Sequence, residues 1–208
     1  MKENKSKVII TSIVTLFPMF IGFLLWNRLP EKVATHFSGG VADGWSTKLS
    51  AVVFLPVVLL VIHLFCLGVT LNDPKKRNIG NMMMSVIFWI VPVLSLVSNL
   101  SIYGYALGMD LNIEMIVGIL VGAMFLLLGN YMSKSHQNYT VGIKLPWTLN
   151  SEENWNRTHR LAGKLWIFAG ILFIGNIFFQ NWQIPFVVTI AVVIIPMIYS
   201  FLLYKKGI

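Results

Sequence analysis

The chain has 208 residues, of which 56% are hydrophobic and 12% charged, and its mean hydropathy is +0.74. Soluble domains carry about 45 to 50% apolar residues, so this composition excludes a soluble globular protein and points to the membrane. A bilayer core about 30 Å thick needs roughly 20 residues per helix, which leaves room for several spans in a single membrane domain over residues 1–208 and not for a second, soluble one.

In chain order, six apolar runs are long enough to cross: Val8 to Trp26, Ser50 to Leu71, Met82 to Leu107, Leu111 to Gly129, Leu165 to Phe179 and Trp182 to Tyr204. The fifth is short unless Lys164 and Gln180 serve as its interfacial ends. The first follows a basic segment with Lys2, Lys5 and Lys7, as in a secretory leader, but it is too long and lacks a small-x-small cleavage site; it is expected to be a retained span. The predicted class is all-α: a polytopic membrane protein with six transmembrane helices.

Between the first two runs lies a loop, residues 28–49, with more texture than the spans. Val33 to Phe37 reads as extended, and Gly39-Gly40 and Asp43-Gly44 read as turns. His36 and Asp43 carry atoms that could ligate a metal, but two ligands do not make a site and no further His or Cys lies in this loop, so no metal is expected. Turn chemistry at Asp43 and an interfacial seat for Trp45 account for these residues without function.

The spans are poor in chemistry. His63 is the only ionisable group at depth, and either a proton or metal site or a bond to a neighbouring helix would explain it. The short supply of buried charge disfavours a pump. Asn99 and Asn176 read as polar links between helices, and Pro18, Pro56, Pro92, Pro185 and Pro196 as kinks. Gly118 and Gly122, with Ala162, Gly163 and Gly170, mark the fourth and fifth spans for close packing with each other or in a homo-oligomer. Cys66 is the single cysteine of the sequence, so no disulfide framework is expected, and no cofactor is expected.

Residues 130–164 form a polar island before the fifth span. Asn150 followed by Glu153 is a capping pattern, so a helix should start near Ser151, after the Pro146-Trp147 turn, and run unbroken into the span. Glu152 and Glu153 would sit in its first turn, where the helix dipole favours negative charge. Trp155, His159, Ala162 and Trp166 make one face, and Arg157, Arg160 and Lys164 another. This basic, aromatic helix could anchor among lipid headgroups or dock a cytoplasmic protein. No hydrolase motif accompanies its Glu and His, so it is not read as an enzyme site, and no catalytic residue is assigned.

Thirteen of the sixteen Lys and Arg fall in the N-terminal segment, the loop after span two, the island and the C-terminal end. By the positive-inside rule those segments, with both termini, face the cytoplasm. The net charge of +8 is then explained by topology and contact with the lipid bilayer, without direct nucleic acid binding.

The runs Gly129-Asn-Tyr-Met132, Asn138 to Trp155 and Thr158-His-Arg-Leu-Ala-Gly-Lys164 closely resemble the signature of the SdpI family of bacterial membrane proteins. Leu29-Pro30, Val33-Ala-Thr-His-Phe37, Gly40 and Asp43-Gly-Trp-Ser-Thr-Lys48 resemble the short module of unknown function that often precedes it. The resemblance implies a six-span plasma-membrane protein giving immunity to a secreted, membrane-active toxin peptide. It further implies, for the family's type member, a receptor that captures a cytoplasmic ArsR-like autorepressor. It assigns no residue roles. On the residues themselves, His36, Asp43 and Trp45 are candidates for a toxin-facing site, and Trp147, Glu152, Trp155, Arg157, His159 and Arg160 for a cytoplasmic partner. A small transporter or exporter, and less so a membrane-embedded enzyme, remain the alternatives.

Overall fold

The computed structural model describes residues 2–38 and 40–208, with the side chains of Lys2 and Glu3 outside that description. The element order is α1 (Lys2–Leu24), β1 (Lys32–Ser38), β2 (Val41–Thr47), α2 (Leu55–Leu71), α3 (Asn81–Ala106), α4 (Ile113–Met132), α5 (Pro146–Asn150), α6 (Glu152–Phe179) and α7 (Gln183–Lys205). Among the described residues six helices are long and apolar enough to cross a membrane, matching the six expected runs. Their most apolar windows are at most 33% buried, and the outward positions include Phe20, Phe65, Phe168 and Phe178. Such a surface is stable only against lipid, so the chain is a multi-pass membrane protein.

Two compact units divide the chain. The first comprises residues 1–68 and 85–117, the second residues 69–84 and 118–208.

In the first unit β1 and β2 form an antiparallel hairpin, a small exception to an otherwise all-α chain. The pairing slips at Thr35 on one strand and at Asp43 on the other, so that His36 faces Gly44 and Phe37 faces Ala42. Asp43-Gly44 is therefore strand and not the expected turn. A Cβ on Gly44 would lie 2.9 Å from the His36 Cβ, so glycine here permits close approach of the strands. The reversal occurs at Gly40, with φ of 78°; Gly39, its expected companion, lies outside the described residues. Val33 is buried with Leu29, Ala51, Val52, Ile102 and Tyr103, which joins the hairpin to the ends of α1, α2 and α3. Lys48, expected on an open loop, is buried against Glu31 at 2.8 Å, with the Trp26 ring 4.9 Å from its Nζ.

Prolines behave in two ways. Pro18, Pro92 and Pro196 lie inside helices as expected. Pro56 follows a wide π turn, Ser50–Phe54, which loosens the hydrogen-bond ladder where the ring removes a donor. Pro185 occupies the first turn of α7, where its missing N–H has no intrahelical acceptor to lose, so it is not a kink.

In the second unit the glycine expectation is met between α4 and α6. A Cβ on Gly122 would lie 2.9 Å from the Gly170 carbonyl, and one on Gly129 would lie 2.8 Å from the Gly163 carbonyl. The two backbones touch there, as small residues allow in lipid. Gly118 has more room. The cap of α6 is Ser151, whose hydroxyl accepts from Asn154 N–H, and not Asn150. Asn150 is the last residue of α5, and Ser151 has the extended backbone a cap requires. Asn99 and Asn176 also depart from expectation. Asn99 donates to the Ser95 carbonyl of its own helix, and Asn176 Oδ1 accepts from Asn181 N–H just past its helix end. In each case a local backbone group competes successfully with a neighbouring helix.

Candidate functional site

On the hairpin His36, Asp43 and Trp45 are all exposed, with Trp45 at 58%. The bulged position of Asp43 turns its carboxylate onto His36, and His36 Nδ1 lies 2.6 Å from Asp43 Oδ1. Bonds from Ser38, first, and from His36 hold the Asp43 carboxyl below its ordinary value of 3.8. His36 thus reaches across from β1 to Asp43 on β2, the strand that also carries the exposed Trp45. Beneath this face Thr35 bonds Ser46 across the strands at 2.9 Å, and Phe37 meets Tyr105 edge-on at 4.9 Å. Among the described residues no group of three or more His, Cys, Asp or Glu is placed to hold a metal.

The island is built by buried polar side chains. Asp73, in the turn after α2, accepts from Lys75 N–H at 2.7 Å, from Tyr139 N–H at 2.9 Å and from the Thr140 hydroxyl at 2.5 Å. Asn138, fully buried, accepts from the N–H groups of Thr140 and Val141 and donates to the His136 carbonyl. Gln137 accepts from Lys75 Nζ, receives Asn78 Nδ2 on its carbonyl and donates to the Thr148 and Leu149 carbonyls. The turn after α2, the island and α5 are thereby one stapled body. A buried charge is tolerable here because three donors satisfy it.

Trp155 and His159 form the inner wall. Trp155 Nε1 donates to the Ser135 carbonyl at 2.8 Å, and the imidazole stacks on the indole at 3.9 Å. His159 Nδ1 donates to the Trp155 carbonyl, which leaves Nε2 to accept from Ile143 N–H at 2.9 Å. Gly142, with φ of 120°, passes so close that a Cβ would overlap the imidazole. The Trp155, His159 and Ala162 face of α6 is therefore turned into the protein, not among lipid headgroups as an amphipathic anchor would be.

The other candidates are placed differently. Glu152, Arg157 and Arg160 are exposed, and Arg157 pairs with Glu153 at 2.5 Å. Trp147 is half-buried, donates to the Ser200 hydroxyl at 2.8 Å and stacks on Tyr204. Beside it an open cleft of about 430 Å³ is lined by Pro146, Asn150, Ser151, Tyr204 and Ile208. Asn154 ties the same region to α7, donating to the carbonyls of Ser200 and Ile208. Asp73, Gln137, Asn138 and Asn154 were not singled out from sequence. The Asp73-Pro74 pair was the one local signal, since it marks a turn, but nothing in the sequence shows what that turn binds.

The SdpI/YfhL protein family matches residues 134–200, and a domain of unknown function, DUF1648, matches residues 13–60. The Immunity protein SdpI of Bacillus subtilis (strain 168) is 28% identical over 213 residues, spanning 99% of this chain and 98% of that protein. No solved structure matches the chain. The segment that matches the family contains Asn138, Gly142, Trp155 and His159, the residues that shape the island, and the other module contains the hairpin. The signature, the preceding module and a relative aligned along nearly its whole length together make the chain similar to SdpI/YfhL family proteins from end to end.

Proposed function

We propose that the protein is an immunity protein of the bacterial plasma membrane that confers resistance to a secreted, membrane-active toxin peptide. The observation that carries this reading is the end-to-end similarity to a protein named for immunity. In this reading the hairpin faces outward, where His36, Asp43 and Trp45 meet the toxin, and the island and both termini face the cytoplasm. Charge supports that orientation. Hydrogen bonds gather the turn after α2, the island and the end of α7 in one unit, and these hold Lys75, Lys76, Arg77, Lys134, Lys144, Arg157, Arg160, Lys164, Lys205 and Lys206. Such a basic surface belongs on the side with anionic lipid and fewer translocated charges.

A second role is signalling. Glu152, Arg157 and Arg160, with the Trp147 cleft, form the surface for a cytoplasmic ArsR-like repressor, and Trp155 and His159 hold that surface in shape. Three candidate spans separate hairpin from island along the chain, so a message between them has to pass through the bundle. The reading includes no catalysis and no cofactor.

The test is toxin challenge of a deletion strain with and without this chain. Expression is expected to restore growth. Failure to do so at normal membrane abundance refutes the immunity reading, and solute flux in vesicles would favour a transporter instead. Replacing Glu152, Arg157 and Arg160 by Ala is expected to abolish repressor recruitment and spare tolerance; equal loss of both refutes the division of labour.

A further inference from the structure

One face of α6 is left uncovered, and its chemistry changes along its length. Arg157, Arg160, Lys164, Phe168, Ile171 and Gly175 recur every three or four residues of this helix. At about 100° per residue they fall within an arc of about 80°, so they form a single stripe. The five side chains in it are exposed, Phe168 at 59% and Ile171 at 56%. A Cβ on Gly175 would meet nothing within 4 Å, so the face stays open for a further turn. Helices stand on both flanks. Gly163 and Gly170 meet α4 on one side, and Asn154 reaches the Ser200 carbonyl of α7 on the other.

The cationic end of the stripe is not neutralised by the chain itself. Arg157 pairs with Glu153 along the helix, whereas among the described residues no carboxylate pairs with Arg160 or Lys164. At positions i and i+4 these two stand side by side, with Cβ atoms about 5 to 6 Å apart, so one anion reaches both. The apolar end begins one turn later, since Phe168 lies about 6 Å along the axis from Lys164. The two ends call for different surroundings: Phe168 and Ile171 belong in hydrocarbon, while the cations require water or an anion.

We infer that this stripe holds an anionic phospholipid, with its phosphate between Arg160 and Lys164 and an acyl chain along Phe168, Ile171 and Gly175. The occupant has to join an anion to an apolar chain within a single helical turn. An acidic protein segment would answer the cations and leave Phe168 and Ile171 uncovered. A second copy packed in parallel would set Arg160 and Lys164 against the same cations. A guanidinium fork with an ammonium beside it matches phosphate oxygens, and basic sites between spans are where anionic headgroups bind. The site shares Arg160 with the surface proposed for the repressor. It requires only that α6 cross a membrane, so it stands or falls apart from the immunity reading.

The test is native mass spectrometry of the full chain in detergent, titrated with phosphatidylglycerol and with phosphatidylcholine of the same acyl chains. The first phosphatidylglycerol is expected to bind several-fold more tightly than phosphatidylcholine. Arg160→Gln with Lys164→Gln should remove that preference, and Lys205→Gln with Lys206→Gln, an equal loss of charge elsewhere, should keep it. Equal affinity for the two lipids in the unaltered chain overturns the site. So does an equal loss in both double variants, which would mark attraction by overall charge. Excess sn-glycerol 3-phosphate, the headgroup phosphate without chains, should not displace the lipid, and displacement overturns the assignment in favour of free phosphate. Should the Arg160 and Lys164 variant fail to fold, phosphatidylglycerol with a photoreactive group near the start of its acyl chain is applied to the unaltered protein in nanodiscs. Adducts concentrated between Phe168 and Gly175 support the site, and even labelling of the six spans overturns it.

Discussion

The hairpin and the island are both short polar segments, yet they use their side chains in opposite directions. In the hairpin a ladder of backbone bonds and the buried Val33 hold the shape, so His36, Asp43 and Trp45 stay free to face outward. In the island the backbone is irregular, and Gln137, Asn138, Thr148, Trp155 and His159, with Asp73 from the turn after α2, turn inward to satisfy it. A segment with regular secondary structure can present its polar groups to a partner. One without it consumes them internally, and presents only what projects from an adjoining helix, here Glu152, Arg157 and Arg160 on α6.

The contrast breaks most severely at Asp73. Asp73→Ala strands three donors, and each unsatisfied buried donor costs about 1 to 3 kcal/mol. The expected outcome is the largest fall in thermal midpoint of any island variant, with rapid proteolysis near residues 134–145. Asp73→Asn, which keeps one oxygen acceptor, should recover part of the loss. A midpoint no lower than that of Glu153→Ala, at an exposed pair worth about 0.3 to 0.5 kcal/mol, would show that Asp73 is not the staple.

Gly142→Ala comes next. The positive φ alone costs about 1 to 3 kcal/mol for a side-chain-bearing residue, and the added methyl has to displace the His159 ring. Lowered stability with loss of the Trp155 near-ultraviolet signal is the expected result. His159→Phe is milder, because the stack on Trp155 survives and the acceptor for Ile143 N–H is lost, at about 1 to 2 kcal/mol. If amide exchange at Ile143 is no faster in this variant, the imidazole does not close the loop.

These differences decide what could be read from sequence. Six spans, the unbroken run of α6 into the membrane and the Gly122 to Gly170 approach follow from local periodicity, and each is found. The hairpin was half legible: Val33 to Phe37 reads as a strand, but Asp43-Gly44 has the composition of a turn and lies in β2 because compensating slips admit it. The island was least legible. Its determining bonds join residues as far apart as Asp73 and Thr140, and Trp155 and His159 look like an exposed aromatic face until the Ser135 and Ile143 backbones are seen against them.

The smallest effect sharpens the comparison from the hairpin side. Asp43 is exposed, and bonds from Ser38 and then His36 depress its carboxyl value. A group whose folded value is depressed contributes stability above its unfolded value, and that contribution disappears as pH falls through the folded one. The pair is therefore expected intact at neutral pH and down through the ordinary carboxylate range, and to open only in stronger acid. Titration of the Asp43 carboxyl by carbon-13 NMR should give a midpoint below 3.8. Ser38→Ala should raise it, and His36→Ala should raise it less, with the thermal midpoint unchanged in both. A midpoint at the ordinary value would mean that the bulge does not hold Asp43 against His36, and the outward face of the hairpin would then be a set of independent side chains and not a preformed surface.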